Sequence, residues 1–158
     1  MGEYRGMNRA VETGVLALQS FHVAFLLLHD WVPLGSLNDV QAVRAVDPLH
    51  KRVQVTLVTA LPFALGLAFS SAYATASRHP TWVPAWLRLS YGSLFAGEIR
   101  AWWIPYLWRS EPAGAARYHT LFGNTHTFLP VRNGIAPNTL HVVLHLATLG
   151  VLLLLALL

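Results

Sequence analysis

Cysteine is absent from the 158 residues. Its absence excludes disulfides, thiolate zinc sites, thiol nucleophiles and cysteine-ligated iron–sulfur clusters, and leaves the compartment open. Charge is nearly as scarce: 11% of residues are Asp, Glu, Lys or Arg, against about 25% in a typical soluble domain. The formal net charge of +4 comes from scattered Lys and Arg. No basic run is interleaved with aromatics, so no nucleic acid is expected as a partner, and the excess fits anionic lipid head groups instead. There is no internal repeat, no low-complexity tract and no linker long enough to divide residues 1–158 into two domains.

Apolar residues are what the chain has in plenty: 54% are hydrophobic and the mean hydropathy is +0.45. These residues gather in stretches near the length needed to cross a hydrocarbon core of ~30 Å. The first stretch runs from Val15 to about Leu34, with Trp31 placed as an interfacial anchor and Pro33 as a stop. Arg5 and Arg9 precede it, as in a signal peptide. It contains Gln19, Ser20 and His22 and lacks a small-residue cleavage pattern, so it reads as a retained span. The second runs from Val53 to about Ala76, with Pro62 expected to kink it and with Gly66, Ser70 and Ala74 as a small-residue stripe. The fourth runs from Asn138 to Leu158 behind a Pro137-Asn138 stop and cap.

The third lies within 86–108 and carries Glu98 and Arg100. Each charge costs about 2.5–3.5 kcal/mol near the bilayer centre, so this segment would hardly insert alone. Two residues apart on a helix, the two charges cannot pair with each other. Trp102, Trp103, Tyr106 and Trp108 read as an aromatic belt at its end. The alternative is a helix lying along the interface. The expected fold is all-α, an integral membrane four-helix bundle with a long loop (110–137) between helices 3 and 4.

With four spans both termini share one side, A, and the connections 35–52 and 109–137 share the other, B. Side B carries Arg44, Lys51, Arg52, Arg109, Arg117 and Arg132; side A carries Arg5, Arg9, Arg78 and Arg88. That imbalance is too small to fix the orientation by the positive-inside rule. The histidines are distributed less evenly. His29, His50, His119, His126, His141 and His145 fall at or near side B, His79 falls on side A, and His22 lies along span one.

At ~1.5 Å per residue, His22 and His145 lie roughly 10 Å below the side B mouth and Glu98 roughly 15 Å. His29, Asp30 and His141 form a shallower layer above them. Polar groups at membrane depth are expensive and usually functional. His22, His141 and His145 are therefore candidate ligands of a divalent metal ion. Without metal, Glu98, His22 and His145 are candidate groups for acid–base catalysis. His29 and Asp30 would line the entrance, and Trp102 or Trp103 would pack against a lipid-soluble small molecule. His50, His119 and His126 read as interfacial. In the loop, Gly123-Asn124 and Asn133-Gly134 are turn chemistry, and Leu121, Phe122, Phe128 and Leu129 suggest folding back over the site as a lid or a plain surface loop.

The segment Asn124-Thr-His-Thr-Phe-Leu-Pro-Val-Arg-Asn-Gly-Ile-Ala-Pro-Asn-Thr-Leu-His141, with His29-Asp30-Trp31, resembles uncharacterised small multi-pass membrane proteins of bacteria. The resemblance covers about the last quarter of the chain. It implies a bacterial inner membrane protein and no activity. The functional reading is a membrane-embedded enzyme for a lipid-soluble substrate. The competitors are a small proton-coupled transporter and a structural or assembly subunit, and a homo-oligomer is compatible with each.

Overall fold

The computed structural model describes residues 2–74 and 80–158, the first of these (2–8) by backbone alone. Arg78, His79 and the Ala76 end of the second expected span lie outside the described residues. Among the described residues the chain is helical, with no strand: α1 (Gly2–Leu28), α2 (Val40–Val46), α3 (Leu49–Ala72), α4 (Trp82–Glu98), a π-helical turn (Ile99–Trp103), α5 (Ile104–Leu107), α6 (Pro112–Phe122) and α7 (Thr139–Ala156). Three stretches are long and apolar enough to cross a membrane: Arg9–Leu28, Leu49–Ala72 and Thr139–Ala156. The third expected span is not among them. Its α4 portion has 17 residues, and Glu98 and Arg100 interrupt the apolar run that follows.

The helix boundaries have local causes. α1 stops at Leu28, earlier than Leu34, because the Trp31 and Val32 N–H groups both fall back on the Leu28 carbonyl and Pro33 has no N–H to offer. The Asn38 side chain then holds the turn, donating to the His29 and Val32 carbonyls and accepting from the Leu34 N–H. α3 begins directly after Pro48. α7 begins where Asn138 caps it, accepting from the His141 N–H at 3.0 Å. The 110–137 connection is not one long loop: Pro112 starts α6 in the first helical position, where its missing N–H costs nothing. Asn133 and Gly134, both at positive φ, make the tight turn between Arg132 and Ile135, which exchange both backbone hydrogen bonds.

Side-chain contacts give the helix directions. Gln19 meets Ser70 and Trp31 meets Thr56, so α1 and α3 run antiparallel. His22 meets Thr148, and Leu18 lies over Gly150 where Leu154 lies over Gly14, so α1 and α7 do too. Arg88 reaches the Leu155 carbonyl and Glu98 reaches Thr148, setting α4 antiparallel to α7. Phe63 against Tyr91 and Phe69 against Trp82 do the same for α3 and α4. One buried cluster joins all four: Val15, Phe25 and Leu26 of α1, Ala60 and Phe63 of α3, Val83, Leu87 and Tyr91 of α4, and Leu144, Val151 and Leu155 of α7. Outward positions are apolar as well, with Leu57, Val58, Leu61, Leu146 and Leu153 all at least 58% exposed. That surface suits a lipid solvent and would be a liability in water.

Two features of the small-residue stripe become specific. A Cβ on Gly66 would stand 2.8 Å from Leu87 Cδ2, so glycine here makes room for the buried Leu87 side chain of α4. Ser70, one turn on, instead accepts from Gln19 of α1. Gly66→Leu is expected to destabilise the protein by about 1–3 kcal/mol through overpacking. Gly92→Ala, at a position with open space, is expected to be neutral or mildly stabilising. Thermal unfolding in detergent, run side by side, measures both.

Candidate functional site

The side B ends of α1, α3, α4 and α7 and the π turn enclose a cavity of about 360 Å³. Glu98, His141, His145, His29 and Asp30 line it, and Phe25, Leu26, Val55, Leu94, Leu144 and Trp102 supply most of the apolar wall. Six of the eight residues singled out from the sequence as site residues (Glu98, His141, His145, His29, Asp30 and Trp102) therefore share one space. His22 and Trp103 do not line it. Each touches it through one neighbour.

His22 is fully buried. Its Nδ1 lies 2.7 Å from the Leu18 carbonyl oxygen and its Nε2 lies 2.9 Å from Thr148 Oγ1. The Thr148 hydroxyl lies 2.8 Å from Glu98 Oε1. A carbonyl can only accept, so Nδ1 carries a proton. Two arrangements then satisfy the whole chain without net charge. In one, the Glu98 carboxylate accepts from Thr148, which accepts from a doubly protonated His22. In the other, a protonated Glu98 donates to Thr148, which donates to the bare Nε2 of a neutral His22. Two short proton shifts through one hydroxyl interconvert them. Glu98 Oε2, buried and without a partner among the described residues, is the free end of this chain.

The two α7 histidines are held in opposite forms. Asn138 Oδ1 accepts the His141 backbone N–H, so it is an oxygen, and His141 Nδ1, 2.7 Å away, must donate to it. In the neutral ring the lone pair is therefore on Nε2. His145 is the reverse. The Trp103 indole N–H can only donate, and it donates to His145 Nδ1 at 3.1 Å, which leaves the proton on Nε2. His29 donates from Nδ1 to the Phe25 carbonyl and sets Nε2 3.3 Å from Asp30. One helix thus presents an acceptor and a donor one turn apart, beside a carboxyl group.

Aromatic rings fix these positions. Trp102 stacks on His141 with centroids 4.3 Å apart, and Phe122 of α6 closes against both rings at 5.0 and 5.2 Å. Of the residues read as an aromatic belt, Trp102, Trp103 and Tyr106 turn inward, as the alternative reading of Trp102 and Trp103 as site residues requires. Tyr106 is buried and donates to the Pro130 carbonyl, and of the four only Trp108 is largely exposed, at 74%. The π turn is the local reason: its i→i+5 spacing widens the helix and lets consecutive tryptophans both face α7. Glu98 faces inward while Arg100 is exposed. The loop residue Phe128 stays exposed. α6 is tied down by Asp47, which accepts from Lys51 at 2.5 Å and from Arg117 at 3.4 Å. The hydrogen bond from Lys51, the larger effect, and the nearby Arg117 charge hold the Asp47 carboxyl below its ordinary range.

Among the described residues no group of three or more His, Asp or Glu is arranged to hold a metal ion. His22, with both ring nitrogens engaged, has no lone pair directed at the cavity. The sequence reading missed Thr148, although its place three residues after His145 put it near the same helix face. It also missed the second duty of Asn138. Thr148→Val, which leaves Glu98 and His22 buried without their shared partner, is expected to lower stability by about 1–3 kcal/mol. Thr148→Ser keeps the hydroxyl and should lose only about 0.5–1.5 kcal/mol for the methyl group. Equal losses in chemical unfolding would contradict the linkage. No family model, no curated protein and no solved structure matches this chain.

Proposed function

We propose that this is a multi-pass protein of a bacterial inner membrane that carries out acid–base chemistry on a lipid-soluble substrate held in the side B cavity. In this reading the rod Trp82–Leu107 is a fourth span beside α1, α3 and α7. Its charges are compatible with insertion in company: Arg88 donates to the Leu155 carbonyl in the last turn of α7, Glu98 is bonded to Thr148, and Arg100 lies near the side B end, within reach of the head groups. α2 and α6 then lie across the side B mouth.

The observation that carries the functional reading is the pair of opposed ring contacts on α7, an acceptor (Asn138 Oδ1) at His141 Nδ1 and a donor (Trp103 Nε1) at His145 Nδ1. His141 Nε2 is the base, positioned by Asn138. His145 Nε2–H is the donor that steadies developing negative charge or returns a proton, positioned by Trp103. Glu98 accepts or supplies a proton at Oε2, and the Thr148–His22 chain behind it lets the carboxyl change state without leaving net charge in a low-dielectric interior. His29 and Asp30 form the polar rim, and Trp102 is the apolar platform for the substrate. Cavities of this size and lining, mostly apolar with a few converging polar groups, are typical of small-molecule sites.

A specific observation also favours a second reading, proton-coupled transport. Gln19 and Ser70 form a further buried polar pair beyond His22, and Tyr91, whose ring packs edge-on against His22, has a buried hydroxyl with no partner among the described residues. The two readings separate in one experiment. Protein in bilayer discs made from bacterial lipid extract is followed by untargeted mass spectrometry. Wild type is expected to convert a lipid-soluble component with time, and His141→Gln is expected to slow this by about 10²-fold or more, as for loss of a general base. Unchanged lipids together with proton flux in sealed vesicles would overturn the enzyme in favour of the transporter.

A further inference from the structure

The α3–α4 seam is closed at one end and open at the other. Gly66 lies against Leu87, Phe63 meets Tyr91 with ring centroids 5.0 Å apart, and the Trp86 indole donates to the Pro62 carbonyl. In an antiparallel pair, one turn back along α3 faces one turn forward along α4. The same register therefore sets Thr59 opposite Ser93 and Val55 opposite Gly97. All four are exposed, and all four line the cavity. Nothing lies within 4 Å of where a Gly97 Cβ would stand. Pro62 marks the fork, since it removes the N–H that would bond the Val58 carbonyl.

This side opening carries no charge and sits in an apolar surface, with Leu57, Val58, Leu61 and Leu89 each at least 58% exposed around it. Thr59 lies ten residues into α3 from Leu49, about 15 Å along the helix, which is the depth of hydrocarbon rather than head groups. The described residues that line the cavity include no Lys or Arg. A phosphate or sulfate would meet Glu98 and Asp30 there with no cation to offset them.

We infer that the gap between α3 and α4 is a lateral portal for an amphiphile with one aliphatic chain and an uncharged polar head. An alcohol, ester or amide head sits at His141, His145 and Glu98, and the chain passes between Val55, Thr59, Ser93 and Gly97 into the bilayer. The inference rests on the membrane-enzyme reading and supplies its substrate class.

The test uses a long-chain alcohol carrying a mid-chain diazirine, photolysed with the protein in bilayer discs, and maps the labelled residues. Labelling is expected to concentrate at the four portal positions. An unlabelled monoacylglycerol should compete for it and a lysophosphatidic acid should not. Gly97→Leu, which has room to fold, should reduce it several-fold, as should Thr59→Leu. Label spread evenly over Leu57, Leu146 and Leu153 and indifferent to both variants would overturn the portal. Equal competition by the phosphate lipid would overturn the uncharged head. Portal labelling that persists in His141→Gln while turnover falls supports both proposals. Turnover that survives without portal labelling sinks the portal alone, and portal labelling with turnover indifferent to His141→Gln sinks the acid–base reading alone.

Discussion

One hydroxyl ties the interior together. Thr148 of α7 joins His22 of α1 to Glu98 of α4 at 2.9 and 2.8 Å, so three helices meet at a single polar atom within an apolar core. In a medium without water each of these groups would cost several kcal/mol unpaired. The contact therefore acts on the rotation and depth of all three helices at once: a shift of any one leaves a buried acid or imidazole without its partner. The side B cavity is a consequence, because fixing Glu98 inward at this level opens the space beneath His141 and His145.

The apolar contacts complete what the polar ones specify. Tyr91, fully buried, packs edge-on against both His22 and Phe63, connecting the polar chain to the α3–α4 seam. Gly66 then makes room for Leu87 in that seam on the side A half. On the side B half, Val55, Thr59, Ser93 and Gly97 are exposed and line the cavity. A single helix pair thus contributes both a packed core and an opening, and the change occurs within about one turn at Pro62.

Much of the architecture was legible because membrane depth can be counted along an apolar helix. Counting inward from His29, Trp108 and Asn138 set His22, Glu98 and His145 at similar depth, and Glu98 and His145 do line one cavity. The Asn138 cap and the Asn133-Gly134 turn were legible for chemical reasons, since each residue type has few rivals for the job. Thr148 was not, because a threonine in an apolar helix ordinarily satisfies itself on a carbonyl one turn back, and the Leu144 carbonyl, 3.0 Å from Thr148 Oγ1, is such a competing acceptor. The sequence left Trp102 and Trp103 with two readings, belt or substrate wall, because interfacial tryptophans give the same pattern at a helix end. Only the π turn distinguishes the two cases, and no residue in Ile99–Trp103 announces it. α6 was missed for want of a polar cap, although Pro112 followed by an alanine-rich run was its signal.

Acid–base chemistry in the cavity requires the two α7 histidines to be neutral in opposite forms. Nitrogen-15 and carbon-13 solid-state NMR of histidine-labelled protein in bilayers, assigned with His141→Gln and His145→Gln, reads this directly. His141 should show its proton on Nδ1 and His145 on Nε2, with Trp103→Phe releasing only the second. Finding both rings in the same tautomer, or Trp103→Phe without effect on His145, would contradict the acid–base site at its foundation.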